Sequence, residues 1–407
     1  MRLLNFRRDG SAQRPTVPRG VGFALVAYSF VITMLGTTMP TPLYPIYQAR
    51  YGFSGLVITV IFAVYAAGVI AGLLLFGSLS DQIGRRRVLL AGVLLSAASA
   101  VVFLLPGGLP TLLLGRVLSG LSAGVFTGNA TAALLDLAPA ASRGRAGLVA
   151  AAMNMGGLGL GPVLAGFLAE YAPAPLALCF LVDLGLVAAA ALGLWVVPEP
   201  VTPAERPRWR PQRVGVPAAT RPTFSRAVIA GFAGFCVLGL FTAVSPSFVG
   251  KVLGVQNHAV TGLVVFSLLA ASTIGQTLVG LTTERRALLA GCAVLAAGAG
   301  VIAVSLDVRS LPVLVLGAVI AGLGQGASFR AGLTAVGNAS PADRRAEVSS
   351  SFFVIVYVAI SLPVVGVGAV QQALGLVAAG VGFAVVVAVL ALIAFAGLLR
   401  HRTTSTA

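Results

Sequence analysis

Charge is what this chain has least of. Only 9% of its 407 residues are Asp, Glu, Lys or Arg, against 58% hydrophobic residues, and the mean hydropathy is +0.99. A soluble domain carries about 25% charged residues, and no soluble interior can house this apolar fraction. Lysine is rarer still. Lys251 stands alone and is followed by Val252, whereas a P-loop lysine is followed by Ser or Thr after a glycine-rich turn, so a Walker-type ATP site is excluded. Histidine occurs twice, as His258 and His401, with no HExxH pair and no Cys/His metal spacing. The chain is therefore read as neither an enzyme nor a metal or cofactor protein. Cys179, Cys236 and Cys292 lie in three different apolar segments and read as small buried hydrophobes.

Acidic residues number 11 against 27 basic ones, for a net charge of +16. Such an excess suits nucleic acid when it forms one exposed patch. Here it is scattered among turns, and no nucleic-acid partner is expected.

What the chain has in abundance is apolar length. A membrane-crossing helix needs about 20 apolar residues. Charge, Gly and Pro punctuation places twelve, at 22–47, 54–79, 88–106, 110–137, 146–170, 174–197, 226–250, 259–282, 287–306, 311–338, 348–370 and 375–399. The expected fold is an all-α integral membrane protein, twelve transmembrane helices in two pseudo-symmetric six-helix bundles embedded in the lipid bilayer. Its expected divisions are a tail 1–21, an N-terminal half 22–197, a linker 198–225, a C-terminal half 226–399 and a tail 400–407. The linker holds seven prolines and five arginines.

Twenty-two of the 27 basic residues fall on one side of these spans. The positive-inside rule makes that side, with both termini, cytoplasmic. A plasma membrane location follows, the bacterial inner membrane being the expected one, and the first apolar run is too long for a signal-peptide core. An offset of 202 pairs Gly120 with Gly322, Gly124 with Gly326 and Gly166 with Gly368, and an offset of 203 pairs Gly72 with Gly275 and Gly77 with Gly280. A duplicated six-helix unit produces such a pattern.

The turn between helices two and three reads Gly77-Ser78-Leu79-Ser80-Asp81-Gln82-Ile83-Gly84-Arg85-Arg86-Arg87-Val88-Leu89. It sets one carboxylate before a guanidinium cluster, as a charge-assisted latch requires. Every fixed position of G-x-L-x-D-x-x-G-R-[RK]-x-x-L is present, and the chain resembles the major facilitator superfamily over essentially its whole length. The resemblance implies that this loop locks the cytoplasmic side, with Asp81 near the start of helix eleven and either Arg85 or Arg86 paired with Asp136 of helix four. The second half keeps only a degenerate Gly280–Arg286 version.

Helix four carries Arg116 four residues before Gly120, like the family's proton-coupling arginine, although Ser119 replaces the usual glutamine. An intramembrane arginine must face a cavity or a partner, or snorkel to the interface. Helix five carries Gly157, Gly161-Pro162 and Gly166, resembling g-x-x-x-G-P-x-x-G-G of drug/proton antiporters with alanine at 165. Arg330 on helix ten and Asp183 on helix six are the other intramembrane charges. Asp183 is read as a proton carrier or a structural pair. Tyr28, Asn129, Gln276 and Gln325 are polar candidates for the cavity lining.

Helix one has no acidic residue, so the cavity is expected to be neutral to positive, favouring anionic or neutral substrates. The expected function is proton-coupled efflux of a small organic molecule or drug by alternating access, in a monomer with protons as the coupling ion. An importer or facilitator of a small polar metabolite is the alternative. A membrane sensor on a transporter scaffold is more remote.

Overall fold

A computed structural model describes residues 16–204, 209 and 211–400. Most of tail 1–21, linker residues 205–208 and 210, and all but the first residue of tail 400–407 lie outside the described residues. Twelve described helices are long and apolar enough to cross a membrane. They are α1 (Arg19–Thr38), α2 (Gly55–Phe76), α3 (Arg85–Leu104), α4 (Leu109–Leu137), α5 (Arg143–Tyr171), α6 (Pro175–Val196), α7 (Arg221–Ala243), α8 (His258–Leu278), α9 (Glu284–Asp307), α10 (Leu311–Ala339), α11 (Arg345–Leu374) and α12 (Leu376–Arg400). The protein is a multi-pass membrane protein.

Local chemistry explains the boundaries. Prolines at 110, 222 and 312 occupy the first turns of α4, α7 and α10, where a missing N–H costs nothing. Asn257 caps α8 by accepting from the Val260 N–H at 3.0 Å, and Thr283 caps α9 through the Arg286 N–H. Two expected spans are shorter than their apolar runs. The first, read as 22–47, stops at Thr38, turns through Pro40 and Pro42, and resumes as a short helix Tyr44–Tyr51. The seventh, read as 226–250, stops at Ala243 and resumes as Ser245–Lys251 with Pro246 in its first turn. Proline removes a helical donor and pushes its predecessor out of helical geometry. Pro162, by contrast, sits inside a continuous α5.

The chain forms two compact units. The first comprises the segment ending at Thr37, Gly68–Leu158 and Leu176–Gln212; the second comprises Thr38–Ala67, Gly159–Pro175 and the segment from Arg213 onward. Lipid offers no hydrophobic drive for helices to associate, so packing of small residues does that work. In the first unit α2 crosses α4 at glycines: a Cβ on Gly72 would lie 2.6 Å from the Leu121 carbonyl, and one on Gly124 would strike the Val69 carbonyl. In the second unit α8 crosses α10 in the same manner, Gly275 against the Leu323 carbonyl and Gly326 against the Ser272 carbonyl. Gly72 and Gly275, and Gly124 and Gly326, are pairs related by the sequence offsets. Larger side chains fill the remaining space, Phe103 stacking on Phe180 at 4.7 Å in one unit and Phe235 meeting Phe329 at a tilt, ring centres 5.2 Å apart, in the other.

Candidate functional site

The loop after α2 is organised around one guanidinium. Gly84 adopts φ +102, a conformation that side chains resist, and turns the chain from a short helix Ser80–Ile83 into α3. Arg85 then lies between three oxygens: Asp81 Oδ1 at 2.6 Å, Asp136 Oδ2 at 3.1 Å and Ser80 Oγ at 2.5 Å. Ser80 donates in turn to Asn129 Oδ1 at 2.5 Å. Of the two candidate arginines, Arg85 meets Asp136, while Arg86 donates to the Val197 carbonyl at 3.3 Å. The Arg85 side chain is 13% exposed and that of Asp81 63%, so Arg85 is the structural centre and Asp81 its accessible partner.

Sequence reasoning missed Glu199. Its carboxylate accepts from the Arg85 N–H at 2.7 Å and the Arg86 N–H at 3.1 Å, satisfying two orphan donors at the positive end of α3. A Cβ on Gly84 would strike this carboxylate, so the glycine also makes room for it. The available signal was a lone carboxylate fixed between Pro198 and Pro200. Glu199→Ala should lower thermal stability by about 1–2 kcal/mol, and Glu199→Gln by less, measured as unfolding midpoints in detergent. The linker binds nearby, the Gln212 N–H to the Leu74 carbonyl at 2.6 Å and Trp209 Nε1 to the Leu75 carbonyl at 2.9 Å. These are carbonyls at the end of α2 that have no helical partner.

Two intramembrane charges converge on one stretch of α1. Arg116 is 1% exposed and donates from Nη1 to the Thr37 carbonyl at 2.5 Å. Asp183 is 3% exposed, and its Oδ1 has no hydrogen-bond partner. A Cβ on Gly36 would lie 2.9 Å from both carboxylate oxygens, so the absence of a side chain at 36 leaves the space that Asp183 occupies. Arg330 is half-buried on α10, and its guanidinium has no hydrogen bond or ion pair among the described residues.

The polar lining candidates are packed against neighbours in this conformation. Tyr28 donates to the Leu186 carbonyl on α6 at 3.2 Å. Asn129 is buried beneath Ser80 and donates to the Val125 carbonyl. Gln325 is fully buried, accepting from Ser272 at 2.5 Å with Gln276 alongside. Gln325 Nε2 is buried with no hydrogen-bond partner among the described residues, a costly arrangement in an apolar interior.

The helix-five glycines carry close crossings. A Cβ on Gly157 would lie 2.5 Å from the Val31 carbonyl of α1, and Gly161 and Pro162 are buried. In the second unit a Cβ on Gly262 of α8 would strike the Pro162 carbonyl, and one on Gly166 would lie 2.5 Å from the His258 carbonyl. Glu170 then accepts from the His258 N–H at 2.9 Å. A counterpart occupies the same unit. Gly368 of α11 packs on Leu56 and Thr59 of α2, and Gln372 Nε2 donates to Ser54 Oγ at 3.3 Å. Ser54 caps α2 through the Val57 N–H as Asn257 caps α8. Sequence reasoning paired Gly166 with Gly368 but passed over Glu170 and Gln372, which are separated by the same offset.

A family model described as Major Facilitator Superfamily matches residues 26–364. The chain belongs to the Major Facilitator Superfamily. Within the superfamily it is 27% identical over 144 residues to the quinolone resistance protein NorA of Staphylococcus aureus; the match spans 35% of this chain and 37% of NorA, little more than a third of that relative's length. It is 28% identical over 167 residues to an uncharacterized MFS-type transporter of Mycobacterium tuberculosis, over 40% of this chain and 24% of that one. Among solved structures, a bacterial homologue of the human lysosomal transporter Spinster, inward-facing and unoccupied, superposes with TM-score 0.69 at 16% identity over 93% of this chain and 96% of that chain. The human organic anion transporter TETRAN gives 0.63 at 17% over 94% and 99%. The family match gives the membership, and these structural likenesses show the fold.

Proposed function

We propose that the protein is a proton-coupled exporter of a small organic molecule, working by alternating access between two six-helix halves, with its arginine-rich face cytoplasmic in the plasma membrane. The observation that carries export is the helix-five face. Gly157, Gly161, Pro162 and Gly166 follow the antiporter pattern, and they lie where α5 makes backbone-close contact with α1 and α8. The partial likeness to NorA points the same way. Asp183, buried against Gly36, is the proposed proton carrier, and Arg116 is held on the carbonyl of the next α1 residue, Thr37. Arg330, without a side-chain partner among the described residues and on a helix whose span has no other ionisable residue, is the proposed contact for an anionic or polar substrate.

The test is proteoliposomes enclosing a pH-sensitive dye, given anionic, neutral and cationic compounds under an imposed proton gradient. Substrate-dependent proton flux supports antiport. Substrate equilibration without flux would replace it by facilitated transport.

The loop is the proposed cytoplasmic gate, and Asp81 supplies a discriminating variant. Asp81 is largely exposed while Arg85 keeps Asp136 and Ser80 without it, so Asp81→Asn should change stability by no more than ~0.5 kcal/mol. Transport should nevertheless fall severalfold. Wild-type rates in that variant would remove Asp81 from the gate.

A further inference from the structure

We propose that the arginine-rich end of the first unit holds a binding site for an amphipathic organic anion, with Arg19 and Arg145 as its charged contacts. The start of α1, the end of α4 and the start of α5 enclose a cavity of about 530 Å3. That volume falls within the range of about 300–1,000 Å3 usual for small-molecule sites. Phe23, Leu137, Ala146 and Val149 supply an apolar wall, and the two arginines stand at the same cavity.

The state of those arginines is what points to a ligand. Arg85, in the same unit, is saturated by two carboxylates and a hydroxyl. Neither Arg19 nor Arg145 has a side-chain hydrogen bond or ion pair among the described residues. Asp136, the carboxylate next to Leu137, is committed to Arg85. Two guanidiniums with no ion pair among the described residues, beside an apolar wall, match a ligand with one carboxylate, sulfonate or phosphate and an apolar body. A cation would be repelled, and a compact inorganic anion would leave the wall unused. The same chemistry is offered by a dissolved organic anion and by the head and first methylenes of an anionic lipid. The site stands independently of the direction and coupling proposed above.

The test uses the full-length protein in phosphatidylcholine nanodiscs, with binding of naphthalene sulfonate and of the neutral naphthalenemethanol measured by equilibrium dialysis. Saturable sulfonate binding is expected, weakened about tenfold or more in the Arg19→Gln/Arg145→Gln double variant and largely retained in the Arg19→Lys/Arg145→Lys one. Both side chains are exposed and unpartnered, so neither variant should disturb folding. Phosphatidylglycerol added to the discs distinguishes the sources: displacement of the sulfonate makes a lipid headgroup the resident ligand, and undiminished binding makes it a solute. Equal affinity of wild type and Gln variant, or equal affinity for sulfonate and alcohol, would overturn the proposal.

Discussion

Replacing Gly262 with leucine is expected to reduce transport to background while the protein still inserts and folds. A Cβ at 262 would already strike the Pro162 carbonyl, which is backbone inside α5 and cannot swing aside as a side chain would. Overpacking of this kind costs about 1–3 kcal/mol. In alternating access that penalty falls only on the conformation in which α5 and α8 are in contact, so it shifts the population away from that state by roughly 5- to 150-fold. Gly262→Ala should show a smaller loss of the same sign, near tenfold. Gly280→Ala is the control, because a Cβ there meets nothing within 4 Å. Initial rates in proteoliposomes, normalised to reconstituted protein, provide the measurement. A Gly262→Leu variant with wild-type rates would mean that the contact between α5 and α8 is not part of the cycle.

The second large effect is expected at Asp183. Asparagine has nearly the same shape, so Asp183→Asn keeps the packing against Gly36 while deleting the titratable group. The variant should lose substrate accumulation driven by a proton gradient but keep counterflow exchange of substrate across the membrane. Its thermal stability should hold or rise, since a carboxylate 3% exposed with an unbonded oxygen costs the fold more than an amide does. Gly36→Ala tests the same site from the other helix. The added methyl would sit 2.9 Å from both oxygens and displace the carboxylate, and partial uncoupling is expected. Gradient-driven accumulation unchanged in Asp183→Asn would eliminate Asp183 as the proton carrier.

The twelve spans were legible because lipid imposes a length and an apolar content that are written directly in the residue order. Their internal breaks were less so. Pro40 and Pro246 each remove a helical donor, but whether a helix ends there or resumes beyond depends on what the next turn packs against. The side-chain neighbourhood of the loop was legible to one ambiguity, Arg85 or Arg86 against Asp136. Adjacent helical residues point about 100° apart, so the choice turned on how α3 leaves Gly84. Tyr28, Asn129, Gln276 and Gln325 show the other boundary. Polarity within an apolar helix marks a residue that needs a partner, and a neighbouring helix satisfies that need as well as a water-filled cavity does. Glu199 escaped because its partners are backbone N–H groups more than a hundred positions earlier, and backbone donors leave no mark in a sequence.

The contacts that Glu170 and Gln372 make differ in one respect. At the start of α8 the accepting group is the Glu170 carboxylate, whereas at the start of α2 the corresponding side chain is the uncharged Gln372. Glu170 and its contact with the His258 N–H are exposed, so dissolved ions screen the attraction between the carboxylate and the helix end, and do so more strongly as their concentration rises. The amide–hydroxyl contact of Gln372 and Ser54 carries no net charge and is nearly indifferent to ionic strength. Added salt therefore loosens one of these two contacts and spares the other, so two places related by the same sequence offset differ in their sensitivity to the medium.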